Sequence, residues 1–234
     1  MLFQQLPGET DAITPTDVVQ GGIGTCVTLA GLGAIASVSP ETIRDAVRDN
    51  GDGTYTVTFH EQRMPGMIWD REWTTHEVTV DARAPVDESG NLLSAQAPYG
   101  ETWPLIIEKA WAEYNGGYHR INGDSGSALL EAVTGHTASF HESIVDAAAD
   151  QLPGSSPVLP SLETLGRWHD SGRAIITGVH NHMLYILDVD VESGTLTIGN
   201  PWGAQYTRTI SYDEWKNGGE FRSLSVVSTD ATDD

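Results

Sequence analysis

An α+β fold, with helices first and antiparallel strands last, is predicted by three features of this 234-residue sequence. Helical apolar spacing is concentrated in the first part of the chain, up to Gly135. Strand alternation fills the part after Arg173. A run rich in Pro, Gly and Ser, Asp150 to Pro160, lies between the two. A helical lobe is therefore expected over 1–150 and a β-rich lobe over 151–234.

Residues 1–19, with Pro7 and Pro15, read as an irregular lead-in, and Gln20-Gly-Gly-Ile-Gly-Thr is a glycine-rich loop running into a buried helix at 25–37. Pro40 opens a second helix, Glu41 to Asp49, with Ile43, Ala46 and Val47 on one face. Asp49-Asn-Gly-Asp-Gly53 is a dense turn signal. It is a β-turn and not an EF-hand, whose loop length and terminal Glu it lacks. Thr54 to Phe59 and Glu77 to Asp81 alternate as strands, and Pro85 to Gly90 is a turn. From Trp103 to Tyr114 a helix puts Trp103, Ile106, Ile107, Ala110, Trp111 and Tyr114 on one face, and Gly116-Gly117 ends it. The two tryptophans are core. Asp124-Ser-Gly-Ser opens a helix at Ala128 to Val133, with Ser125 or Ser127 as its cap. Glu163 to Asp170 is a short helix. Strands follow at Arg173–Gly178, Asn181–Asp188, Gly194–Gly199, Thr207–Ile210 and Ser223–Ser228, before a frayed acidic end, Asp230 to Asp234.

Hydrophobic content of 39% with seven Trp and seven Tyr is that of a globular chain. One cysteine excludes an internal disulfide and a cysteine-based zinc cluster. With no HExxH among eight histidines, a zinc hydrolase is not expected. A formal charge of −21, with Lys109 and Lys216 the only lysines, argues against nucleic-acid or anionic-membrane binding, which need clustered cations. Most of these acids form a solvated face. No run approaches the roughly 20 apolar residues of a membrane span, and Met1-Leu-Phe-Gln-Gln-Leu-Pro lacks the basic and apolar regions of a signal peptide. The expected setting is either a piece of a longer secreted bacterial protein or the cytoplasm.

The lone thiol, Cys26, stands where the glycine loop meets the first long helix. A helix N-terminus carries partial positive charge and favours a thiolate. Gln20, six residues upstream, supplies a side-chain N–H for a developing oxyanion. On this segment alone, nucleophile and small core residue are equal readings. Later in the chain His182 shares a strand face with Leu184 and Ile186, and His180 lies on that face too, while Asn200 closes the next strand in Gly199-Asn-Pro-Trp-Gly203. A papain-type cysteine protease uses a thiolate, an imidazole and an orienting amide in the order Cys, His, Asn, the first on a helix and the others on a later sheet. Order and context agree here. Trp202 would shield the His–Asn hydrogen bond from water. A serine hydrolase has no G-x-S-x-G elbow to stand on.

With these residues in view, the chain resembles the protease core of the calpains, a branch of the papain-like clan, nearly end to end. Gln20 to Ala30 is similar to that family's Q-G-x-x-G-D-C-W-x-L-A segment. Trp103 to Tyr118 is similar to its helical middle, and Asn122 to Gly135 to its S-G-G-x-T-x-x-x-L-x-x-x-T-G run. Asn181-His-Met-Leu-Tyr-Ile186 resembles G-H-A-Y-x-V, Asn200 to Gly203 matches N-P-W-G, and Ser211 to Trp215 echoes the S-x-x-x-F tail. The resemblance implies a papain-like, two-lobed endopeptidase acting on protein or peptide substrates. Cys26 would be the nucleophile, His182 the general base and acid, Asn200 the orienter, and Gln20 part of the oxyanion hole. It favours His182 over His180, and it asks for no cofactor in the chemistry itself.

Departures are Thr25 for Asp, Val27 for Trp, and Met183-Leu184 for the small residue and Tyr, with Tyr185 one place later. They reshape the cleft without removing a proton-transfer group. Animal calpains use calcium bound to the core, and Asp17 matches an acidic ligand position of the family, whereas His119 stands where a second acid is expected. The same residues also admit a catalytically silent protein-binding module, or a thiol-dependent glutamine deamidase or acyl transferase.

Overall fold

Helix α1 (Cys26–Val38) lies at the centre of the molecule because its sequence gives it no polar face: every residue from Cys26 to Ala36 is buried. Leu29, Leu32 and Ile35 are fully buried, and each contributes roughly 1.5–3 kcal/mol by leaving water. The computed structural model describes residues 1–63, 72–96, 99–123, 126–142 and 159–229. Around α1 stand α2 (Pro40–Ala46), α3 (Trp103–Tyr114), the short α4 (Tyr118–Ile121) and α5 (Gly126–Thr134). A three-stranded antiparallel sheet, β1 (Val47–Asp49), β2 (Thr54–Arg63) and β3 (Glu72–Asp81), covers α3 and α5.

The second half of the chain is a six-stranded antiparallel sheet in the order β4-β9-β5-β6-β7-β8. Its strands are β4 (Ser139–Glu142), β5 (Ala174–Val179), β6 (His182–Asp190), β7 (Thr195–Gly199), β8 (Arg208–Ser211) and β9 (Phe221–Val227). Period-two alternation splits their apolar residues between two cores. Ile176, Tyr185 and Val227 join the core built on α1. Ile175, Leu184, Ile186 and Val226 face a second core with Leu165 of α6 (Leu162–Asp170) and Trp215 of α7 (Tyr212–Asn217). The chain is thus α+β, as expected.

Tyr185 shows how closely α1 approaches the sheet. A Cβ at Gly33 would lie 2.8 Å from its ring, and one at Gly199 of β7 would collide with it. Its hydroxyl donates to the Pro15 carbonyl at 3.3 Å. The ring therefore needs both glycines.

Several boundaries differ from expectation. The helix expected over Glu41–Asp49 ends at Ala46, because β-branched Val47 pairs with Val57 and starts β1. Strand β4, which local pattern does not announce, precedes residue 150 yet pairs with β9 in the C-terminal sheet. The Asp150–Pro160 connection, except for Leu159 and Pro160, lies outside the described residues, as do Ser125 and the Asp230–Asp234 end. Ser127 is the second residue of α5, not its cap. Among the described residues no single helix is long and apolar enough to cross a membrane.

Candidate active site

The loop ahead of α1 is held by backbone hydrogen bonds that only glycine permits. Gly22 and Ile23 donate to the Leu92 and Leu93 carbonyls, and a Cβ at Gly21 would collide with the Ser94 carbonyl. This seats Cys26 as the first residue of α1, 8% exposed and bordering a cavity of about 430 Å³. Val27, Asn122, His182 and Met183 line the same space. Cys26 and His182 thus meet one cavity, although 156 positions separate them in the chain.

Behind Cys26 stands a buried polar contact that sequence reasoning missed. Glu108 of α3 is fully buried; its carboxyl accepts from the Thr25 hydroxyl at 2.5 Å and from the Ala95 amide at 2.7 Å. Burial pushes this carboxyl from an ordinary 4.5 up to about 7. Thr25, the residue that replaces an expected Asp, is thereby tied to α3 immediately before the thiol. The available signal was an acid in a helix apolar on nearly every side: Leu105, Ile107 and Ala112 are buried as well.

His182 opens β6 directly after a two-residue turn, His180-Asn181, which joins it to β5. His180 carries φ +41°, the left-handed region that a tight hairpin turn demands, and its ring is exposed. His182 Nε2 lies 2.9 Å from Asn200 Oδ1. The Trp202 backbone N–H also donates to Oδ1, at 2.9 Å. An N–H only donates, so that atom is the oxygen, and an amide oxygen only accepts. Nε2 of His182 therefore carries the hydrogen and Nδ1 is the basic nitrogen. The Trp202 indole stacks on the imidazole, centroids 4.2 Å apart, over the His182–Asn200 pair. Of the two histidines, the one joined to Asn200 is His182.

Gln20 connects the two halves of the site through its backbone: its N–H donates to the Pro201 carbonyl at 2.7 Å, next to Asn200. One of its side-chain N–H groups donates to the Ile23 carbonyl at 2.7 Å, which fixes the amide and leaves the second N–H. Gln20 does not line the Cys26 cavity.

Asp17 lies apart from these residues. It is 2% exposed, and its carboxylate accepts from the Thr14 N–H at 2.8 Å, the Thr14 hydroxyl at 3.0 Å and the Trp103 indole at 3.1 Å. Desolvation raises its carboxyl above the ordinary value despite those donors. His119 is exposed. Among the described residues no group of three or more His, Cys, Asp or Glu is arranged to hold a metal. The Asp17 carboxylate is thus engaged by protein donors, and an imidazole stands where the resemblance asks for a second acid.

The chain is similar to mouse (Mus musculus) calpain-9, 26% identical over 204 residues, covering 81% of this chain and 29% of that protein. Human calpain-9 is 25% identical over 238 residues, with coverage of 94% and 33%. The human calpain-1 catalytic subunit is 33% identical over 137 residues, with coverage of 56% and 18%. The chain spans about a third or less of the length of these relatives. Residues 4–159, Cys26 among them, match the family model described as calpain family cysteine protease. That match covers two thirds of the sequence, and the chain belongs to the calpain family of cysteine proteases.

Proposed function

We propose that this chain is a calpain-like cysteine endopeptidase that cleaves protein substrates through Cys26, His182 and Asn200. One observation carries the proposal: Asn200 fixes the His182 tautomer, so that Nδ1 is basic, on the rim of the cavity that holds Cys26. His182 Nδ1 takes the thiol proton, and the thiolate, at the positive end of α1, attacks the peptide carbonyl carbon. The carbonyl electron pair moves to oxygen, where the Cys26 amide donates to it. As the tetrahedral species collapses, the imidazolium gives its proton to the leaving amine and a thioester remains. Water, deprotonated by His182, attacks that thioester and returns the thiol. Asn200 holds the ring throughout, and Trp202 covers their hydrogen bond.

No step is routed through calcium, because the Asp17 carboxylate is engaged by protein donors. Cys26→Ala is expected to abolish cleavage of a denatured protein substrate while leaving the circular dichroism spectrum and melting temperature near those of the parent. The thiol-directed epoxide E-64 is expected to label Cys26 at low concentration. Retained cleavage in Cys26→Ala refutes the assignment. An unlabelled thiol in a folded, inactive protein would favour a silent binding module. Ammonia release from a protein substrate without chain cleavage would favour a deamidase.

A further inference from the structure

Glu108 closes one end of a seam between two segments. Residues 19–25, the loop that leads into Cys26, run beside residues 92–96. Gly22 and Ile23 donate to the Leu92 and Leu93 carbonyls, and the Gln96 N–H donates to the Val19 carbonyl at 2.7 Å. The Glu108 carboxyl bonds both segments at once. Its Oε1 accepts from the Thr25 hydroxyl at 2.5 Å, and its Oε2 accepts from the Ala95 N–H at 2.7 Å. Thr25 in turn carries the first turn of α1, because its carbonyl accepts the Leu29 N–H at 3.0 Å. The next amide in the chain is that of Cys26.

The two carboxyl oxygens are not equivalent. The Ala95 N–H only donates, so Oε2 must keep a lone pair for it, and a proton on Glu108 must sit on Oε1, facing Thr25. Thr25 Oγ1 can either give or take a hydrogen bond. Opposite the carboxylate it donates to Oε1. Opposite the neutral acid it accepts from Oε1, and its own hydrogen turns to the Ile23 carbonyl, 3.5 Å away. That carbonyl already receives the Thr25 N–H at 2.8 Å and a Gln20 side-chain N–H at 2.7 Å. One proton therefore resets the hydrogen bonds of the loop and sets the charge behind the sulfur.

We propose that Glu108 is a positioning residue that regulates the peptidase through its proton, the neutral acid being the faster state and the carboxylate the slower one. The proposal rests on Cys26 being the nucleophile, as assigned above. A buried negative charge behind the start of α1 opposes both negative charges that the reaction makes, first on sulfur and then on the carbonyl oxygen. The neutral acid opposes neither. Burial brings the change close to neutral pH, because it lifts this carboxyl to about 7. The surrounding groups do not offset it. Tyr118 of α4 also faces the carboxyl, and burial holds its hydroxyl above the ordinary range, so it stays neutral. Lys109, next on α3, pairs with Asp81 of β3 at 2.5 Å, and Asp17 is bound by the Trp103 indole. The arrangement belongs to a departure of this chain from the calpain pattern, which has Asp where Thr25 stands. A hydroxyl can reverse its hydrogen bond, whereas an ionised carboxylate only accepts.

The test compares the parent with Glu108→Gln, whose side-chain N–H donates to Thr25 at every pH as the neutral acid does. Two rates are read from about pH 5.5 to about 8.5: alkylation of Cys26 by iodoacetamide, which needs no substrate, and kcat on denatured casein. In both, the ratio of variant to parent is expected to rise roughly threefold or more across that range, with its midpoint near 7. KM should not follow it. Loss of a merely structural contact would offset the rates by one factor at all pH values. Thr25→Val, which takes a donor from the carboxylate and so favours the neutral acid, should shift the ratio in the same direction. Ratios that stay constant with pH in these variants overturn this proposal alone. A parent that cleaves no casein at any pH sinks the peptidase assignment and this proposal together.

Discussion

Replacing Glu108 with glutamine should flatten the pH dependence of stability between pH 5 and 7. The folded carboxyl, lifted from 4.5 to about 7, holds a proton that the unfolded chain releases. Because the folded pKa is raised, the associated stability is fully present below pH 4.5 and is lost as pH climbs through 7. At about 1.4 kcal/mol per pH unit, the full interval is worth roughly 3 kcal/mol. A glutamine in its place would keep the shape and both contacts, its oxygen accepting from the Ala95 amide and its own amide N–H donating to the Thr25 hydroxyl. Urea unfolding at pH 5 and pH 7 measures the effect in parent and Glu108→Gln. Between pH 5 and pH 7 the parent should lose about 2 kcal/mol more than the variant. Asp17 and Glu101, also raised by burial, give slopes of the same sign in both proteins, so the difference isolates Glu108. Identical slopes in the two proteins would show that Glu108 is already ionised where it sits, and the burial argument would fail.

Two other outcomes are expected. Proteolysis should continue unchanged in excess EGTA, since the Asp17 carboxylate is committed to Thr14 and Trp103; loss of activity restored by added calcium would refute this. Gly33→Ala should cost about 1–3 kcal/mol from the clash with the Tyr185 ring, more than the gain in helix propensity, and Tyr185→Leu in the same chain should recover most of the loss. A thermal melt in which Gly33→Ala equals the parent would refute that contact.

What the sequence made legible follows the range of the interactions concerned. Helix α3 and strands β5 to β9 were readable because their apolar periodicity is local and strong, and the Cys26, His182 and Asn200 order survives in plain text. The end of α2 was not, because nothing near Val47 announces that its partner is Val57 across a turn. Strand β4 was missed for the same reason: its partner Val226 is more than eighty residues away. His180 and His182 share a strand face on paper. In the structure His180 takes a positive-φ turn position and is exposed, whereas His182 is the one bonded to Asn200. Glu108 was hidden by its class, since a glutamate on a helix is read as solvated until partners such as Thr25 and Ala95 are located.

The Gln20–Pro201 hydrogen bond bears on how the site is held as a unit. Pro201 follows the residue that orients His182, and Gln20 opens the loop that ends in Cys26. Thr25, the last loop residue, is bound in turn to Glu108. From α3 to Asn200 there is therefore a continuous path of Glu108 to Thr25, along the loop to Gln20, and across to Pro201. Cys26 follows Thr25 on that path, and Asn200, which bonds His182, precedes Pro201 at its end. A change at Thr25 or Gly21 would then disturb His182 as well as Cys26, though neither residue approaches the ring. The two halves of the site are thus tied to each other through Gln20 and Pro201.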